Sequence, residues 1–112
     1  MNCTAFLITF VFIVFDFFSG LVKAFATNHF TSTKMREGLF HKIGLVLCVV
    51  LGYLIDFAQV YLNLGFSVPV TGAICTYIVL MEISSILENL CEMNPNLMPD
   101  KLTDIFGGGH HE

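Results

Sequence analysis

The chain has no tryptophan, three prolines and few charges: only 12% of its 112 residues are Asp, Glu, Lys or Arg. A soluble domain of ordinary composition carries about 25%, so a water-facing surface of the usual kind is excluded. Basic residues number five and stand among phenylalanines, which excludes a phosphate-tracking surface and with it nucleic acid as a partner. The four cysteines (Cys3, Cys48, Cys75, Cys91) lie far apart and none belongs to a C-x-x-C pair. They read as free thiols buried as small apolar groups, not as disulfides or metal ligands. There is also no G-x-S-x-G, no H-E-x-x-H and no phosphate-binding glycine loop. His29 and His41 fall in a polar connector and read as wetted interfacial side chains, not as a metal pair. Neither an enzyme nor a cofactor is expected.

What fills the chain is apolar: 55% hydrophobic residues, twelve of them Phe, with a mean hydropathy of +0.78. A helix crosses a bilayer core in about 20 residues, and three segments reach that length: about 4–26, 43–64 and 68–87. One short chain cannot close a barrel by itself, so helix is the spanning option. The predicted fold is an all-α membrane protein, with residues 1–106 forming one three-span domain and 107–112 a flexible tail rich in Gly and His. Ala24-Phe25-Ala26 has the form of a signal-peptide cleavage site. No Lys or Arg precedes the apolar run and Asp16 interrupts it, so the first segment is expected to be retained.

Between the first two segments lies Thr31-Ser-Thr-Lys-Met-Arg-Glu-Gly-Leu-Phe-His-Lys42, and four of the five basic residues (Lys23, Lys34, Arg36, Lys42) lie in it or just before it. Cytoplasmic loops carry the Lys and Arg excess. Lys34, Arg36 and Lys42 are therefore read as setting topology: connector and C-terminus cytoplasmic, N-terminus and the 63–69 turn outside. Thr31, Ser32 and Thr33 are able to cap a helix that starts near Lys34. Ser67 is expected to cap the third helix, with Pro69 in its first turn. Pro95 and Pro99 break that helix. A short amphipathic helix is expected after Pro99, its face of Met98, Leu102, Ile105 and Phe106 lying on the membrane or the bundle.

Each span carries a polar or small-residue stripe at helical spacing. In the first it is Thr9, Asp16, Gly20, Lys23 and Thr27. In the second it is Gly44, Cys48, Gly52, Asp56, Gln59 and Asn63, and in the third Gly72, Cys75, Val79, Glu82, Ser85 and Asn89. An acid at a helix centre costs about 2.5–3.5 kcal/mol on insertion, so Asp16, Asp56 and Glu82 need a reason to be there. Together with Lys23, Gln59 and Asn63 they either line an oligomeric pore or make interhelical hydrogen bonds. The contact role is preferred for Glu82, and both stay open for Asp56. Asp16 and Lys23 are two turns apart on one helix, so a bridge between them would need another helix or subunit. Gly20, Gly44, Gly52 and Gly72 would allow helices to approach closely.

At these residues the sequence resembles the small phage holins of the toxin-secretion and phage-lysis type. The resemblance runs through Asp16-x-x-x-Gly20-x-x-Lys23-Ala24, Ser32-x-Lys34-Met35-Arg36-Glu37-Gly38-Leu39-x-x-Lys42-Ile43, Ile55-Asp56, and Glu82-Ile-Ser-Ser-Ile-Leu-Glu-Asn-Leu90 with Pro99 downstream, and covers about residues 10–106. It departs at Met93-Asn94-Pro95-Asn96, where a glycine-centred turn is expected, and in a short tail without a basic ending. The resemblance implies a protein of the bacterial inner membrane that associates with itself. Such a protein opens large lesions for a cell-wall-degrading endolysin or a toxin. Two other classes remain on the residues alone: a non-lytic ion channel or small transporter component using Asp16 and Asp56, and a membrane anchor that needs a partner.

Overall fold

The computed structural model describes residues 3–94. Three helices run up, down and up: α1 (Thr4–Ala26), α2 (Ser32–Tyr61) and α3 (Val70–Met93). Each is long and apolar enough to cross a membrane. The expected helix after Pro99 and the Gly-His tail lie outside the described residues.

The ends of the helices follow from local chemistry. α1 closes in a Schellman arrangement: His29 N–H donates to Ala24 O at 2.9 Å and Asn28 N–H to Phe25 O at 3.4 Å. Asn28 takes the left-handed position, at φ 59°, which Asn tolerates better than most residues. Phe25 and Phe30 then stack across the reversal with centroids 4.5 Å apart. Thr31 caps α2, its Oγ1 accepting from Lys34 N–H at 3.1 Å, as the connector sequence predicts. At 30 residues, α2 is about 45 Å long, against a hydrocarbon core of about 30 Å. The excess leaves room for its start, where Lys34 and Arg36 are exposed, to lie outside the core.

The far end of α2 corrects two expectations. The helix stops at Tyr61, so Asn63 and Leu64 leave the predicted span and enter the turn. There Asn63 Oδ1 accepts from Gly65 N–H at 3.0 Å, and Gly65 sits at φ 88°, a backbone state suited to glycine. Asn63 is thus a turn residue and does not continue the α2 stripe. Ser67 does not cap α3 either: Pro69 occupies the cap position without a side-chain bond, and Asp56 of α2 supplies the acceptor.

α3 is the central element. It packs along α1, more narrowly along α2, and α1 and α2 touch least. The apolar core is small: Ile13, Val49, Cys75 and Ile78, flanked by Phe6, Leu45, Val46, Tyr53 and Ile74. Large side chains instead point outward, among them Leu7, Val11, Phe15 and Phe18 on α1, Leu47, Leu51 and Leu54 on α2, and Tyr77 and Leu80 on α3. A soluble monomer rarely exposes apolar patches of more than a few hundred Å², and lipid is the solvent in which this surface costs nothing. The four thiols are free, but only Cys75 is buried; Cys3 and Cys48 are exposed. The expectation that the thiols are core groups fails for those two.

Candidate functional site

Asp16 and Glu82 each lie twelve residues from the turn-side start of their helices, α1 and α3, so both sit at the same depth, about 18 Å in. Both are buried, at 4% and 1% exposure. Between them reaches Lys42 of α2. Its Nζ donates to Asp16 Oδ2 and to both Glu82 oxygens, at 3.0 and 2.9 Å. Asn89, one face-repeat along α3, donates from Nδ2 to Asp16 Oδ1 at 3.2 Å and to Ser19 Oγ at 2.8 Å. Ser19 in turn donates to Asp16 O at 2.9 Å. One ammonium thus ties all three helices together, and the neighbouring amide occupies the remaining oxygen of Asp16.

This geometry revises the sequence-based roles. Lys42, read as a topology-setting cation, is the partner of both acids. Lys23, considered for Asp16, instead meets Glu92 Oε1 at 3.2 Å. That pair is exposed at 31% and 58% of its side chains and contributes little. Lys42 escapes a reading by stripe because it lies one residue before the apolar run that defines its span. The signal that would find it is charge balance: two acids at one depth need a cation, and Lys42 is the cation nearest the start of the second span.

A second polar site lies at the turn end. Asp56 accepts from Val70 N–H at 2.8 Å and Thr71 N–H at 2.9 Å, so one carboxylate serves two of the orphan amides that begin α3. Gln59 pairs with the peptide of Val68 in both directions, donating to Val68 O and accepting from Val68 N–H, each at 2.9 Å. Its Nε2 also lies 3.4 Å from Asp56 Oδ1. Asp56 and Gln59 therefore fasten the turn between α2 and α3. Asp56→Asn keeps one of the two acceptor oxygens and is expected to fray the first turn of α3 less than Asp56→Ala, which keeps neither. Amide hydrogen exchange checks this: fast exchange confined to Val70 and Thr71 in Asp56→Ala, with protection retained at only one of the two in Asp56→Asn.

The four glycines divide in two. Gly52 is buried, and a Cβ there would come within 3.2 Å of both Thr71 Cα and Ile74 Cδ1. A Cβ on Gly20 would stand 3.5 Å from Asn89 Nδ2. Gly44 and Gly72 face open space with nothing within 4 Å, so within one chain only Gly52 stands where a side chain would be tight, and at Gly20 a Cβ would make an ordinary contact.

Above the cluster, towards the connector, α1, α2 and α3 part around a cleft of about 780 Å³ that reaches from Lys34 and His29 down to Asp16 and Lys42. No curated protein and no solved structure gives a significant match to the chain. The bacteriophage holin family does match, over residues 3–108, and this multi-pass membrane protein belongs to it.

Proposed function

We propose that the protein is a lysis or secretion holin. Copies accumulate in the bacterial inner membrane, connector inward, and then assemble into lesions that pass a cell-wall-degrading enzyme or a toxin. The family match over residues 3–108 carries this reading. The outward apolar faces and the inward polar groups agree with it, because a chain that satisfies its own acids can accumulate harmlessly. Within the single chain Lys42 and Asn89 meet Asp16 and Glu82, and the first amides of α3 meet Asp56. Opening then requires the Lys42 bonds to be exchanged for contacts with water or with other copies. Crowding supplies those other copies. Loss of the membrane potential shifts any charge that moves across it by about 2.3 kcal/mol per 100 mV.

The test is inducible expression in bacteria together with a cytoplasmic muralytic enzyme, followed with a potential-sensitive dye. Growth should continue while the protein accumulates, then potential and turbidity should fall abruptly, the turbidity only when the enzyme is present. Slow depolarisation without protein passage would point to a narrow ion channel instead. Steady growth with an intact potential at high membrane levels would overturn the holin reading.

A further inference from the structure

We propose that the cleft on the connector side of the ion cluster is a binding site for one anionic phospholipid. Its upper rim is basic. Lys34 stands there with no carboxylate partner among the described residues, next to His29, whose Nδ1 is turned to Thr27 Oγ1 at 3.2 Å. Lys23, the other cation of the rim, is held by Glu92 at 3.2 Å, and at the floor Asp16 and Glu82 share Lys42. Lys34 is therefore the cation of the cleft left without an acid partner among the described residues.

Below the rim the walls turn apolar, with Phe17 and Leu21 on α1 and Met35 on α2. From Ala24 to Phe17 the α1 wall descends seven residues, about 10 Å. A cation above an apolar wall of that depth, at the membrane boundary, fits a phosphodiester headgroup with the start of its acyl chains below. A volume of about 780 Å³ is within the usual range for small-ligand sites, and basic pockets between spanning helices on the cytoplasmic side are a recurring way of holding anionic lipid. The charge favours phosphatidylglycerol over zwitterionic lipid. Bound there, the lipid would bridge α1 to the start of α2, the two helices that touch each other least.

Native mass spectrometry of the full-length protein, purified in detergent with equal amounts of dioleoylphosphatidylglycerol and dioleoylphosphatidylcholine, tests this. One phosphatidylglycerol per chain should be retained in preference to phosphatidylcholine. Lys34→Gln should weaken that retention about fivefold, and Lys34→Arg should preserve it. Arg36→Gln removes the same charge from the same connector but outside the cleft, and should leave retention unchanged. Gly38 lines the cleft with nothing within 4 Å of a Cβ built on it, so Gly38→Trp should expel the lipid with no change of charge. Glycerophosphoglycerol, the phosphodiester headgroup of phosphatidylglycerol without its chains, should not displace it. Equal retention of the two lipids, equal loss in Arg36→Gln and Lys34→Gln, full retention in Gly38→Trp, or displacement by glycerophosphoglycerol would each overturn the proposal. All of these readouts are independent of lysis.

Discussion

Lys42→Met is expected to advance the onset of depolarisation at matched membrane levels and to destabilise the purified protein in detergent by about 3–5 kcal/mol. The reason is what stays behind. Asp16 and Glu82 are 4% and 1% exposed, they share a single ammonium, and without it two carboxylates face each other away from water. Removing one partner of a buried ion pair is costly because the other charge is left uncompensated. Removing all the charges is less so, because well-packed apolar replacements of a buried ion pair are often neutral or stabilising by about 1–4 kcal/mol and a buried amide costs less than an unpaired charge. Lys42→Met combined with Asp16→Asn and Glu82→Gln should therefore regain much of the stability lost in Lys42→Met, and its onset should move back towards the parental time. Thermal unfolding followed by circular dichroism gives the first order and the dye assay the second. If the triple variant is as unstable as Lys42→Met, the cluster is not an electrostatic latch. If stability follows the expected order and onset does not, the latch exists but does not govern opening.

The three spans were legible because length and apolar composition alone decide what a bilayer accepts, and they need no knowledge of partners. The Thr31 cap was legible too, since capping is local in sequence. Contacts between helices were less so. A stripe identifies the face of Asp16 or Glu82 but not the residue it meets, and Lys42 lies 26 residues from one and 40 from the other. Its position at the edge of an apolar run made orientation the simpler role for its charge. Asp56 was visible as an acid on a helical face, yet its work is to cap another helix. The hint was Val68-Pro69-Val70, a helix start with no capping side chain of its own. Asn63 was misplaced because periodicity does not say where a helix ends, while Asn two residues before Gly65 is a turn signal of local origin.

Gly52 and Gly44 lie two turns apart on α2, and the same substitution at each should have opposite consequences. Gly52→Ala places a Cβ 3.2 Å from Thr71 Cα and from Ile74 Cδ1. The isoleucine methyl can swing aside but the α3 backbone has to move. That strain is offset by the helix propensity gained, about 1 kcal/mol, so the change in stability should be small. Gly52→Leu adds a branched side chain where even one carbon is tight. Overpacking costs about 1–3 kcal/mol, and the separation it forces also draws Asp56, one turn further along α2, away from Val70 and Thr71. Unfolding should therefore start earlier, with fast amide exchange at the beginning of α3. Gly44→Leu meets nothing within 4 Å and should leave the single chain as stable as the parent, or more so through propensity. If small residues on the open face of α2 are where copies approach one another, as close helix packing in lipid favours, Gly44→Leu should still delay or abolish lysis. Chemical cross-linking in membranes should then show fewer multimers at an unchanged level of protein. A Gly44→Leu protein that assembles and lyses like the parent would remove this face from the assembly. Loss of stability in Gly44→Leu to match that in Gly52→Leu would contradict the packing of α2 against α3 described above.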